Sequence, residues 1–157
     1  MTASISATGM FGNNREEIRR FFIACWNRRE EPLLSLSPLE QQVLHVIELH
    51  PEYHGMFEQG EALVQKDFPG GTESGNPFYH LGLHLSLLEQ ISTDRPPGIR
   101  QLHAEFRTSY GEVHTAEHAM IEVLEAALWE AQAMNRMPDD TAYLEALRTR
   151  LREKQAG

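Results

Sequence analysis

The sequence predicts an all-α protein, an antiparallel helical bundle of the four-helix type with additional short helices. Three observations carry that expectation. Apolar residues recur at helical spacing through every long segment. Those segments are bounded by helix caps and by proline and glycine breaks. No stretch alternates apolar and polar residues as a half-buried strand does. The length of 157 residues, 41% hydrophobic and 24% charged, suits one soluble globular domain. Its expected limits are residues 13–153, with a flexible leader over 1–12 and a flexible end over 154–157.

Asn14, with Glu17 three residues on, forms a capping-box pattern for a first helix. Ile18, Phe21, Phe22, Cys25 and Trp26 mark its apolar face, while Arg15, Arg19, Arg20, Arg28 and Arg29 lie mostly off it. After the Glu-Glu-Pro break at 30–32, Ser37-Pro38-Leu39-Glu40 supplies a serine cap, a first-turn proline and a glutamate at the third position. Leu39, Val43, Val46 and Ile47 then share a face with His50, and His45 projects to solvent. Pro51 disfavours helical geometry at His50 and ends or kinks the helix there.

Asp67 to Gly75 is a loop by composition, and Asn76-Pro77 restarts a helix that runs to about Ile91. Gly82, Ser86 and Glu89 are expected to face away from its apolar arc. Ile99, Leu102, Phe106 and Tyr110 mark a shorter helix, which Gly111 separates from a long one whose core stripe is Val113, Met120, Val123, Leu124, Ala127, Leu128 and Ala131. Asp139 or Asp140 caps the last helix, and Tyr143, Leu144, Leu147 and Leu151 form its apolar face.

The formal net charge of −9 argues against nucleic-acid binding and against an anionic membrane surface. One cysteine, Cys25, excludes an internal disulfide and a thiolate zinc cage, and suits a reducing compartment. No apolar run is long enough for a membrane span and no signal-peptide pattern opens the chain, so a cytoplasmic location is expected. Met10 is a candidate natural start.

The histidines carry the chemistry. Eight of them placed at random would give on the order of half a pair at i, i+4 spacing. The chain has three such pairs: His50 with His54, His80 with His84, and His114 with His118. Residues four apart on a helix lie on one face, so two imidazoles can converge on one ion. His80 and His84 sit inside an apolar arc, where imidazoles left without partners cost several kcal/mol, by rough transfer values. Glu122 follows His118 by one turn and offers a carboxylate to the same edge. His50, His54, His80, His84, His114, His118 and Glu122 are therefore the candidate metal ligands, in a mononuclear or dinuclear site. An imidazole and carboxylate set without thiolate suits iron or zinc first, then nickel, manganese or copper. His103, near the Ile99–Phe106 face, is an outside candidate.

Several motifs also resemble a known family. Met10-Phe-Gly-Asn-Asn-Arg with Arg20-Phe-Phe, His50-Pro-Glu-Tyr-His54, Asn76-Pro-Phe-Tyr-His-Leu, Arg95-Pro-Pro-Gly-Ile and Ala116-Glu-His118 are similar to those of a proteobacterial family of small proteins, a domain of unknown function. The resemblance implies a single-domain bacterial protein and no particular activity. In architecture alone, converging histidines in a helical bundle resemble DinB-like and hemerythrin-like metal proteins. The function expected is a divalent transition-metal-binding bundle with a metal ion and a small-molecule substrate as partners. If it is an enzyme, metal-dependent hydrolysis or transfer, or non-haem iron chemistry, follows. The alternative is a non-catalytic interaction or regulatory bundle whose buried histidines are structural or sense pH.

Overall fold

The computed structural model describes residues 15–68 and 76–157. The expected leader, the Asn14 cap and most of the loop before Asn76 lie outside the described residues. Among those described there are eight α-helices and no strand, so the all-α prediction holds. They are α1 (Arg15–Asn27), α2 (Pro38–Glu48), α3 (His54–Phe57), α4 (Glu61–Gln65), α5 (Pro77–Thr93), α6 (Ile99–Tyr110), α7 (Val113–Ala133) and α8 (Asp140–Ala156). Short 3-10 turns occupy Leu33–Ser35 and Pro51–Tyr53. The last helix thus continues beyond residue 153, where composition places the domain end.

The described chain groups into two compact units, residues 15–85 and 86–157, with α5 divided between them. In the first unit α1 packs against α2 and α4. Its core is Phe22, Trp26, Val43, Val46, Ile47, Phe57, Leu63 and Leu81. The α2 start is the capping box read from the sequence: Glu40 N–H donates to the Ser37 hydroxyl at 3.1 Å and Ser37 N–H donates to the Glu40 carboxylate at 2.7 Å. The hydrogen bond from the Ser37 amide, with Arg28 nearby, holds the Glu40 carboxyl below its ordinary value.

One α1 expectation is corrected. Arg19 is 2% exposed rather than solvated. Its guanidinium donates to the carbonyls of Val64 and Lys66 at 2.9 and 2.8 Å and lies over the Phe78 ring. Those two carbonyls close the end of α4, so the charge is buried against groups that need donors.

In the second unit α6, α7 and α8 pack pairwise around Leu102, Phe106, Met120, Leu124, Tyr143 and Leu147. Gly111 ends α6 with φ +82°, a backbone conformation side chains resist, and this separates α6 from α7 as the sequence predicts. Val113 is corrected from core to surface, 43% exposed, because it is the first residue of α7, where the chain is still entering the helix. Ser86, expected to face outward from α5, is buried at 3%, and so is Gln90 at 0%. The Tyr143 hydroxyl donates to the Gln90 side-chain oxygen at 2.7 Å, which brings a polar α5 side chain into the core with an acceptor used. Among the described residues, no helix is long and apolar enough to cross a membrane.

Candidate metal centre

The centre is built from the end of α2 and the start of α5. Pro51 cannot donate an N–H and restricts His50 to non-helical backbone, φ −125° and ψ 72°. α2 therefore stops at Glu48, and His50 folds its ring back over the last turn. There His50 Nδ1 lies 2.7 Å from the Val46 carbonyl oxygen. A carbonyl can only accept, so this nitrogen carries the proton. In its neutral form the His50 ring then presents Nε2 as the acceptor, which is the form that ligates a metal.

His80 Nε2, from the second turn of α5, is 3.0 Å from His50 Nε2. His84 follows one turn later, and its ring stands at 90° to that of His50 with centroids 5.2 Å apart. The His80 ring meets His50 at 75° and 4.7 Å, and His84 at 81° and 6.3 Å. The three rings thus stand near-perpendicular to one another rather than stacked. His50, His80 and His84 each offer one ring nitrogen such that all these atoms lie within 4.8 Å of one another. His50 and His84 are 0% exposed and His80 is half-buried. Bonds of about 2.1 Å put two cis nitrogens about 3.0–3.4 Å apart, so the 3.0 Å separation suits a shared ion.

Tyr53 forms one side of this group. Its ring is nearly parallel to His50, 14° and 5.6 Å between centroids, and edge-on to His80 at 6.4 Å. Burial, with Glu52 adjacent, pushes its phenol above the ordinary value.

The remaining candidates are placed differently. His54 Nε2 lies 2.9 Å from the Ile47 carbonyl, so it donates there, and its ring rests on Trp26 at 4.4 Å. His50 and His54 are not brought to one face, because the turn at Pro51 interrupts the helical rotation that would align them. His114 and His118 do lie together on α7, their rings 4.1 Å apart and both half-buried. Glu122 is on the exposed side of α7, and its carboxylate is held by Arg150 of α8.

His103, on α6, bonds the Glu117 carboxylate of α7 at 2.9 Å, with side chains 13% and 5% exposed. Glu117 was not singled out from the sequence. The signal was available only as a glutamate on the inward arc of α7, which helical spacing alone does not pair with a histidine on another helix.

No curated protein and no solved structure matches the chain. The model of the family described as Domain of unknown function (DUF1841) matches residues 14–149. That span takes in α1 to α7, the first part of α8 and all the histidines, and this chain belongs to that family.

Proposed function

We propose that this protein binds one divalent transition-metal ion through His50, His80 and His84. The observation that carries the reading is the 3.0 Å approach of His50 Nε2 to His80 Nε2, with His50 Nδ1 already committed to the Val46 carbonyl. Imidazole nitrogens without thiolate favour iron(II), zinc, copper or nickel over the hard cations magnesium and calcium, which take oxygen ligands. Iron and zinc are the first candidates. The lone buried cysteine fits a reducing, cytoplasmic setting.

A second reading draws on the same distance. If His80 Nε2 carries a proton, it donates to His50 Nε2, and the cluster is a buried hydrogen-bonded relay of a regulatory or interaction protein. Metal analysis separates the two. Protein purified anaerobically and loaded with iron(II) or zinc should retain about one equivalent. The double variant His80→Ala with His84→Ala should retain less than about a tenth of that. A wild-type chain that takes up neither ion under reducing conditions leaves only the hydrogen-bonded relay.

A further inference from the structure

We infer that two copies of this chain pair through the hairpin of α7 and α8, each seating its Trp129 in a cavity on the other. All the residues involved belong to the second unit, and the inference is independent of the metal reading. The cavity lies between α7 and α8 and measures about 230 Å3. Ala126, Ala127 and Ala131 of α7 and Ala142 and Ala146 of α8 line it, so short side chains open the space and give it an apolar wall. Pockets that take a cofactor or a drug-sized molecule run from about 300 to 1,000 Å3. This one has room for a single large side chain.

Such a side chain stands beside it. Trp129 is 49% exposed. It follows Ala126 by three residues and Glu122 by seven, which places it on their side of α7, at the rim of the cavity. Met134 and Met137, also exposed, extend the apolar surface past the end of the helix. A knob and a hole on one face of one molecule are what an isologous twofold contact uses, since each copy gives its indole and receives the other. Tryptophan in a desolvated pocket at the centre of an interface is also where binding energy concentrates.

Charge fixes the direction of the pairing. Glu122 and Arg150, an ion pair, close one end of the cavity, and Arg136 stands at the other. Glu122 lies seven residues before Trp129 and Arg136 seven after, about 10 Å along the chain each way at helical rise. When α7 of two copies cross antiparallel at Trp129, Arg136 of each comes opposite Glu122 of the other. Among the described residues the Arg136 side chain has no hydrogen bond or ion pair within its own chain. The Glu122 carboxylate, largely exposed beside Arg150, has acceptor capacity for a second donor. A parallel crossing sets Arg136 against Arg136 and is disfavoured.

The test is sedimentation velocity of the full chain from micromolar to submillimolar concentration, with iodide quenching of tryptophan fluorescence on the same samples. Wild type should pass from monomer to dimer, and quenching should fall with it, because Trp129 is exposed and Trp26 is already buried. Trp129→Ala should weaken dimerisation at least about thirtyfold, the loss expected of a central tryptophan. Ala146→Phe fills the cavity from an exposed position of its own chain and should weaken it comparably. Arg136→Glu should weaken it about tenfold, by setting like charge against Glu122. Far-UV circular dichroism should show that each variant keeps its helices. A wild type that stays monomeric throughout would overturn the inference and leave the groove to a different partner. A dimer unaffected by Trp129→Ala and by Ala146→Phe would overturn its placement on this face. A dimer that Arg136→Glu leaves unchanged would overturn the antiparallel register.

Discussion

His50 and His54 are four residues apart and chemically identical, yet they do different work. One aims a lone pair at His80 and the other donates to a carbonyl beside Trp26. His54→Ala should therefore leave metal content at the wild-type level while lowering stability by about 1–2 kcal/mol, from the lost hydrogen bond and ring packing. Glu122→Gln, which loses an ion pair with Arg150, should also leave metal content unchanged. Inductively coupled plasma analysis beside urea unfolding checks both.

Cys25 gives a pH prediction at the same scale. Burial raises its thiol from the ordinary 9.0 to about 12. Below about pH 9 folded and unfolded chains both hold the proton, and the contribution to stability is fully present. Between there and about pH 12 only the unfolded chain ionises, so stability falls as pH rises. Urea midpoints taken at pH 7.5 and 10.5 should drop further for wild type than for Cys25→Ala.

At the scale of elements, the capping signals read from the sequence act where they stand. Ser37 and Glu40 exchange hydrogen bonds at the start of α2, and Asp139 accepts from Thr141 and Ala142 at the start of α8. Ser37→Ala should lower stability by about 1 kcal/mol, read from the shift of the denaturation midpoint at constant slope. Glu112 caps α7 by accepting from the His114 and Thr115 amides, which no sequence pattern singled out, because Glu is an uncommon capping residue. Helical spacing also placed His80 and His84 on one inward face of α5 correctly. It misjudged Ser86, since a helix rich in leucine on most of its circumference is buried nearly all round and carries its few polar residues inside with it.

At the scale of the whole molecule, each unit has its own apolar core, and α5 contributes residues to both. An ion that binds only the folded chain adds stability by mass action. At a free metal concentration a hundred times Kd the gain is about 2.7 kcal/mol. For a chain of this length that raises the thermal midpoint by roughly 5–10 °C. Differential scanning calorimetry with iron(II) or zinc, then with chelator, should show the rise and its reversal in wild type. In the His80→Ala, His84→Ala double variant both should be missing.

The sequence alone determined the helical class, the caps at Ser37 and Asp139, the break at Pro51 and the inward pair on α5. Each of these is decided within one or two turns of chain, by backbone sterics and local hydrogen bonds. Only the tertiary structure decided that His50 meets His80 while His54 does not, that Arg19 is buried, and that Glu122 belongs to Arg150. Those outcomes depend on where distant helices bring their side chains, and a spacing rule stops at the first residue whose backbone leaves the helix.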